Sequence, residues 1–84
     1  MNIDASVRQV LRDVLSLGAR ADSLTPTSPL LGAIPEMDSM AVVNVIAALE
    51  DQFDITVEDD EITGETFATF GAVTEFVRAK TEAA

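Results

Sequence analysis

The sequence predicts an all-α domain with three main helices, one short helix and a long first loop. Two observations support this prediction. Apolar residues recur at helical spacing in several segments, and glycine, proline and small polar residues separate those segments. The chain has 84 residues, of which 48% are hydrophobic. We therefore expect residues 1–84 to fold as a single domain with a modest core.

The first helix is predicted over residues 4–17 from a stripe of apolar residues at positions i, i+4, i+7, i+8 and i+11. This spacing places their side chains on one face of an α-helix. Asp4 or Ser6 can cap its start, and Gly18 stands where a glycine often ends a helix. The stripe consists of Ile3, Val7, Val10, Leu11 and Val14.

A long connection is predicted over residues 19–37, which contain three prolines and Gly32. A connection of this length inside a compact domain needs anchors. The pair Ser28-Pro29 predicts one short helical turn, because proline is favoured at the first position of a helix after a capping serine. Four apolar residues are predicted to anchor the connection in the core: Leu24, Leu30, Leu31 and Ile34.

The second helix is predicted over residues 39–53, and its two sides differ in composition. One narrow arc is apolar and should face the core. It consists of Val42, Val45, Ile46, Leu49 and Phe53. The opposite side carries a methionine, a small residue and polar residues where surface helices usually carry charges. It consists of Met40, Asn44, Ala47 and Asp51, with Val43 and Glu50 on one flank.

The acidic segment after the second helix is predicted to be a loop that contains one short helix. Ile55 and Val57 alternate with Thr56 as in a strand, but no partner strand is evident, so a loop is the preferred prediction. A short helix is predicted over residues 58–63, because acidic residues favour a first helical turn and Gly64 can end it.

The last helix is predicted to begin after a capping Thr69, and Phe67 just before it is predicted to fill the core. Arg78 and Lys80 lie in its final turn, where positive charge is favoured by the helix dipole. Its inner stripe is predicted to consist of Phe70, Val73, Thr74 and Val77.

The charge balance and the absence of particular side chains exclude several classes of function. Fifteen acidic and five basic residues give a formal charge of −10, which argues against binding to nucleic acid or to anionic membrane surfaces. The same charge suits partners that carry basic patches. The sequence contains no cysteine and no histidine. Disulfides, thiol nucleophiles and the usual general base are therefore excluded, and no metal site is predicted.

We predict a cytoplasmic protein that does not insert into membranes. The N-terminal run MNIDASVRQ lacks the basic and apolar regions of a signal peptide. The longest apolar stretches, residues 40–43 and 45–49, are separated by Asn44. Both are far shorter than the ~20 residues that a membrane-spanning helix requires.

The pair Asp38-Ser39 stands directly before the second helix. The simplest interpretation is a helix cap, because both residue types are favoured there. Ser39 is not predicted to be a nucleophile, because no histidine can activate it and the single lysine, Lys80, lies near the far end of the chain. A serine at a helix start is nevertheless exposed, and a phosphate ester is favoured there. On the residues alone, a cap and an attachment point both remain open.

The run Glu36-Met37-Asp38-Ser39-Met40 resembles the Gly-x-Asp-Ser-Leu-type motif at the start of the second helix in acyl carrier proteins. The run Leu49-Glu50-Asp51-Gln52-Phe53 is similar to the end of that helix in the family, and Thr69-Phe70 is similar to the start of the last helix. The order of the predicted elements extends the resemblance to nearly the whole chain. It implies an acyl-carrier-like four-helix bundle.

The resemblance implies that coenzyme A donates 4′-phosphopantetheine to Ser39 through a separate phosphopantetheinyl transferase, with Asp38 as the motif neighbour. Acyl groups are then held as thioesters on the thiol of this arm and pass between enzymes, and the chain itself, as a monomer, catalyses nothing. A peptidyl or D-alanyl carrier on the same fold is an alternative interpretation. An unmodified helical adaptor that binds a partner through Met40 and Asn44 is another.

The resemblance also implies a docking face for acyl-activating and acyl-transferring enzymes with basic patches. By position it consists of Met40, Asn44, Ala47, Glu50 and Asp51. Glu36 replaces the usual glycine, and Ala41 and Asn44 replace common acids, so this face is less acidic than in carriers of fatty-acid synthesis. We therefore expect a carrier of a dedicated pathway. The run MDSMAVVNVIAALED is similar to small carriers encoded beside exopolysaccharide or exosortase-type gene sets.

An acyl cargo would lie between the second helix and the short helix in this family. The resemblance places Val43, Ile46 or Ile62 along such a cargo. Plain core packing is the competing interpretation for these three residues.

Overall fold

The computed structural model describes residues 2–83, apart from the side chains of Asp59 and Ala83. Its described part contains three α-helices, two short 3-10 helices and no β-strand beyond one isolated bridge, so the predicted all-α class is confirmed. The α-helices are α1, Ile3–Leu15, α2, Ser39–Phe53, and α3, Phe70–Ala83. The 3-10 helices span Gly18–Ser23 and Asp59–Glu61. None of the helices in residues 2–83 is long and apolar enough to cross a membrane.

Helix α1 begins and ends slightly earlier than the sequence predicted. Its cap is Asn2 rather than Asp4 or Ser6, because the Asn2 side chain accepts a hydrogen bond from the Ala5 N–H at 3.0 Å. At the other end, Ser16 adopts the left-handed conformation, with φ of 55°, and its N–H returns to the Arg12 carbonyl. Gly18, which was expected to end the helix, begins the following 3-10 helix.

The predicted turn at Ser28-Pro29 is wrong. Pro29 forms an isolated antiparallel bridge with Thr69. The Phe70 N–H donates to the Ser28 carbonyl at 2.9 Å, and the Leu30 N–H donates to the Ala68 carbonyl at 2.9 Å. These backbone bonds join the long connection to the start of α3. They depend on contacts between distant segments, which a local dipeptide pattern cannot reveal.

The long connection contains an unpredicted 3-10 helix, and three of the four predicted anchor residues are confirmed. The 3-10 helix at Gly18–Ser23 was not predicted. Leu30 is fully buried, and Leu24 and Ile34 are half-buried against the core, as predicted. Leu31, which was predicted to be buried, is 42% exposed. Leu30 directly follows the bridge residue Pro29, whereas Leu31 begins a turn over residues 31–33, so the two leucines have different backbone environments and only Leu30 enters the core.

One buried cluster from all three α-helices forms the core. On α2, Val45, Leu49 and Phe53 are buried as predicted, whereas Val42 and Ile46 are half-buried at its edge. The predicted inner stripe of α3 is confirmed, and Phe67 fills the core as expected. The buried residues of that region are Phe67, Phe70, Val73, Thr74 and Val77.

The connection between α2 and α3 contains less helix than predicted. A single 3-10 turn at Asp59–Glu61 replaces the short helix expected over residues 58–63, and this turn ends before Gly64. Residues 55–58 form no strand, in agreement with the predicted loop. The predicted cap of α3 is confirmed, because the Thr69 Oγ1 accepts a hydrogen bond from the Ala72 N–H at 3.1 Å.

Candidate functional site

Asp38, and not Ser39, caps helix α2. Its backbone is extended, and its Oδ1 accepts a hydrogen bond from the Ala41 N–H at 2.8 Å. Ser39 is the first residue of the helix and is exposed. No hydrogen bond joins the Ser39 hydroxyl to any other residue in the described range 2–83. Asp38 therefore acts as the N-cap of α2, which leaves the Ser39 hydroxyl without a hydrogen bond to the described residues.

Among the described residues, no basic side chain is hydrogen-bonded to that hydroxyl. The chain has no histidine, and the amine of its single lysine donates to both carboxylate oxygens of Glu61, at 2.8 and 3.0 Å. The described residues also contain no group of three or more acidic side chains arranged to hold a metal ion. The described structure therefore gives Ser39 no partner of the kind that activates a serine nucleophile.

An ion pair and a buried side chain hold the backbone that precedes Ser39. Glu36 replaces the glycine of the family motif, and its carboxylate pairs with the Arg20 guanidinium from the first 3-10 helix. Hydrogen bonds from Arg20 lower the pKa of Glu36. Met37 is buried, and its N–H donates to the Ile34 carbonyl at 2.9 Å. The buried position of Met37 could not be predicted from the sequence, because a loop residue belongs to no periodic pattern.

A groove of about 310 Å³ opens beside Ser39, between α2 and the connection that leads to α3. Phe67 closes its floor, with only 1% of its surface exposed. The residues that line this groove are Leu31, Ser39, Val42, Ile62, Thr63, Gly64 and Phe67. Its volume lies at the lower end of the range of ~300–1,000 Å³ found for small-molecule sites. The groove is apolar apart from Ser39 and Thr63.

Only one of the three residues expected along a cargo lines this groove. Ile62 does so. Val43 is 58% exposed on the outer side of α2, and Ile46 packs at the edge of the core. Val42 replaces them, because successive residues of a helix are rotated by about 100° and Val42 points toward the connection.

The predicted docking face is mostly exposed. Met40 is 68% exposed, and Asn44, Ala47 and Asp51 are exposed along the same side of α2. Glu50 differs, because it is half-buried and its Oε2 accepts a hydrogen bond from the Val57 N–H at 2.8 Å.

Two further apolar side chains, Leu31 and Val43, are also exposed near Ser39. Val43 was expected only on the flank of the docking face or along the cargo, and Leu31 was expected in the core. Together with Met40 they are the large hydrophobic residues exposed in the described structure. Exposed apolar side chains that cluster at one end of a small domain are typical of a contact surface.

Comparison with known proteins agrees with this geometry. The sequence profile of the phosphopantetheine attachment site family matches residues 5–77. An acyl carrier protein from Desulforapulum autotrophicum is 29% identical over 80 residues, which cover 95% of this chain and 99% of that protein. The solution structure of a holo acyl carrier protein from Nitrosomonas europaea superposes with a TM-score of 0.89 at 55% identity, covering 98% of this chain and 99% of that one.

The fold and the exposed serine describe a small helical carrier domain. The match over residues 5–77 shows that the chain belongs to the acyl carrier protein family of phosphopantetheine attachment domains. Members of this family are non-catalytic carriers that bear 4′-phosphopantetheine covalently and interact with the enzymes that modify and load them.

Proposed function

We propose that Ser39 is the residue to which 4′-phosphopantetheine is attached and that the chain carries acyl groups between enzymes. One observation supports this assignment above the others: the Ser39 hydroxyl is exposed and unbonded, one residue after the aspartate that caps α2. When bound, the group supplies the terminal thiol on which acyl groups are held as thioesters. That thiol is the nucleophile that this chain, which has no cysteine, lacks.

The backbone N–H groups at the start of α2 favour a phosphate ester on Ser39. Asp38 accepts the N–H of Ala41, and its carbonyl accepts the N–H of Val42 at 3.0 Å. The N–H groups of Ser39 and Met40 have no partner within the helix, because they belong to its first turn. Unpaired N–H groups at a helix start favour a bound phosphate. We therefore expect modification at this position to keep the hydrogen bonds that Asp38 makes at the start of α2.

The composition of the groove favours an acyl cargo over an aminoacyl cargo. Its walls and floor include Leu31, Val42, Ile62 and Phe67, and none of the residues that line it is charged. An alkyl chain placed there would be removed from water at ~25 cal/mol per Å² of buried apolar surface. The ammonium of an amino acid would lose its hydration without gaining a charged partner. We therefore propose acyl groups as the cargo.

We further propose that partner enzymes dock on the exposed side of α2. This side combines Met40, Val43 and Asn44 with Ala47 and Asp51. No basic residue occurs between residues 37 and 77, so the surface is acidic and apolar. It suits acyl-activating and acyl-transferring enzymes whose docking patches are basic at the rim and apolar at the centre. The chain acts as a monomer, since this surface must stay open to several enzymes in turn.

A mass measurement tests the attachment at Ser39. The folded protein is incubated with coenzyme A, Mg²⁺ and a phosphopantetheinyl transferase of broad specificity, and its intact mass is recorded. We expect one phosphopantetheine adduct on the unchanged protein and none on Ser39→Ala. Ser23→Ala, which removes another exposed serine, should still be modified. Failure to modify the folded protein while a known carrier is modified in parallel would contradict the proposal.

A further inference from the structure

Side chains of the neighbouring helices hold the connection between α2 and α3. The Val57 N–H donates to the Glu50 Oε2 at 2.8 Å, and the Lys80 Nζ donates to both carboxylate oxygens of Glu61, at 2.8 and 3.0 Å. Between these contacts and Phe67, the other hydrogen bonds of the described residues stay within the connection itself. The position of its middle part therefore depends on a few polar contacts and on partial apolar burial.

That middle part forms one wall of the groove beside Ser39. Ile62, Thr63 and Gly64 follow Glu61 directly in the chain and line the groove, while Ser39 and Val42 lie across from them on α2. Ile62 is only half-buried. A movement of Glu61 away from α3 would thus carry this wall away from the floor of the groove and widen its opening.

The contact between Lys80 and Glu61 is better protected from water than the other ion pairs. The two side chains are 24% and 32% exposed, whereas at least one member of each other described pair is more than 40% exposed. A partly buried pair is screened less by salt than an exposed one.

The segment that Lys80 contacts is strongly acidic, so the positive charge of Lys80 also reduces repulsion among its carboxylates. Seven of the fifteen acidic residues lie between Glu50 and Glu61, and the segment between residues 37 and 77 contains no basic residue. Lys80 reaches this cluster from α3 and is the single lysine of the chain. Without its charge, repulsion among the acids would favour outward displacement of the connection.

We propose that the Lys80–Glu61 ion pair is a latch that holds the wall of the groove against its floor and so sets how readily apolar cargo enters and leaves. Lys80 and Glu61 are positioning residues, since neither lines the groove. The role in cargo exchange rests on the proposed function of the groove. The latch itself is a property of the unmodified protein and can be tested without any cargo.

Amide hydrogen exchange on the unmodified protein at pH 7 tests the latch. Lys80→Met keeps the apolar stem and removes the charge, and Glu61→Gln keeps the shape of the side chain. In both variants, we expect the protection factors of the Glu61, Thr63 and Thr66 amides, which donate hydrogen bonds within this part of the connection, to fall by about two- to fivefold, as for the loss of one partly exposed ion pair. The amides of α1 should keep their protection.

Two variants make this measurement specific. Asp60→Asn removes a charge from the same 3-10 turn, at an exposed position, and should leave the Glu61, Thr63 and Thr66 amides protected. The double variant Lys80→Glu with Glu61→Lys restores a pair of opposite charges and should recover part of the lost protection. Unchanged protection in both single variants, or equal loss in Asp60→Asn, would overturn the latch.

A second measurement tests the role of the latch in cargo exchange. The protein is loaded from octanoyl coenzyme A or acetyl coenzyme A by a phosphopantetheinyl transferase, and cleavage of each thioester by hydroxylamine is followed by mass. Lys80→Met should release the octanoyl group about two- to fivefold faster than the unchanged protein. It should release the acetyl group, which is too short to occupy the groove, at an unchanged rate.

The outcomes distinguish a failure of the proposed role in cargo exchange from a failure of the proposed attachment at Ser39. Equal octanoyl release in Lys80→Met and the unchanged protein would overturn the role in cargo exchange. Absence of any adduct would instead contradict attachment at Ser39, on which the cargo measurement depends but the amide hydrogen-exchange measurement does not.

Discussion

The Asp38 Oδ1 accepts the backbone N–H of Ala41 at 2.8 Å and so closes the first turn of α2. This contact explains why an aspartate stands beside the serine that we propose as the attachment residue. A cap supplied by Ser39 would occupy the hydroxyl that the transferase needs. With Asp38 as the cap, the helix start is stable and the neighbouring hydroxyl remains available.

The cap predicts a difference between two substitutions of Asp38. Asp38→Ala should lower the free energy of unfolding by ~1 kcal/mol, because the Ala41 N–H loses its acceptor. Asp38→Asn keeps an acceptor oxygen and should remain within a few tenths of a kcal/mol of the unchanged protein. Urea unfolding followed by circular dichroism measures both values. Equal stability of the two variants would show that Asp38 does not act as a cap.

The Arg20–Glu36 pair predicts a pH dependence. Hydrogen bonds from Arg20 lower the pKa of Glu36 in the folded protein. The stabilisation is therefore complete above the unfolded pKa of ~4.3 and is lost as the pH falls through the lower folded pKa. The melting temperature of the unchanged protein should exceed that of Glu36→Gln at pH 7, and the difference should vanish at sufficiently low pH.

A second variant controls for effects of Glu36 that do not involve its charge. Arg20→Gln should show the same loss of pH dependence, since either substitution removes the pair. Both partners are at least a third exposed, so 1 M NaCl should also reduce the difference at pH 7. A difference in melting temperature that stays constant from pH 7 to below the folded pKa would contradict this account.

The close approach of α3 to the long connection predicts the effect of an added methyl group. The Gly71 N–H donates to the Pro26 carbonyl at 2.9 Å, and a Cβ at Gly71 would lie 2.6 Å from that oxygen. Gly71→Ala should therefore destabilise the protein by about 1–3 kcal/mol, as in other overpacked sites. Gly64→Ala is the matched control, because its Cβ would meet nothing within 4 Å and should change stability by less than ~0.5 kcal/mol. Thermal unfolding distinguishes the two.

The adjacent leucines of the long connection predict opposite phenotypes. Leu30 is fully buried, so Leu30→Ala should cost about 2–5 kcal/mol of stability. Leu31 is 42% exposed near Ser39, so Leu31→Ala should retain most of the stability and instead lower the kcat/KM of the transferase. Unfolding curves and initial rates of modification measure the two effects. A large loss of stability in Leu31→Ala would show that Leu31 contributes to the core and would contradict its assignment to the contact surface.

Much of the fold could be predicted from local patterns. Helix α2 begins and ends at the predicted residues, because Asp38 is a strong cap and the apolar spacing continues to Phe53. The inner stripe of α3 and the buried Phe67 were also predicted. In each case the decisive interactions join residues within a few positions of one another, or follow from the periodicity of a single helix.

The features that could not be predicted from the sequence depend on partners outside the local pattern of each segment. Pro29 pairs with Thr69, and Glu50 turns toward the Val57 N–H. Leu31 is exposed because it begins the turn over residues 31–33, after Leu30 has entered the core. A dipeptide or a periodic pattern contains no information about such partners, so Leu31 was placed in the core and a helical turn was placed at Pro29.

The sequence by itself determined the helical class and the acidic character, which follow from apolar spacing and composition, and it indicated the family through the resemblance of its motifs. Only the tertiary structure decided that the Ser39 hydroxyl has no hydrogen-bond partner within residues 2–83 and that a groove opens beside it. The walls of that groove come from Leu31, α2 and residues 62–64, which are separated by many positions. Their spacing is set by packing on Phe67 and by contacts such as Lys80 with Glu61, and these interactions exist only after the chain has folded.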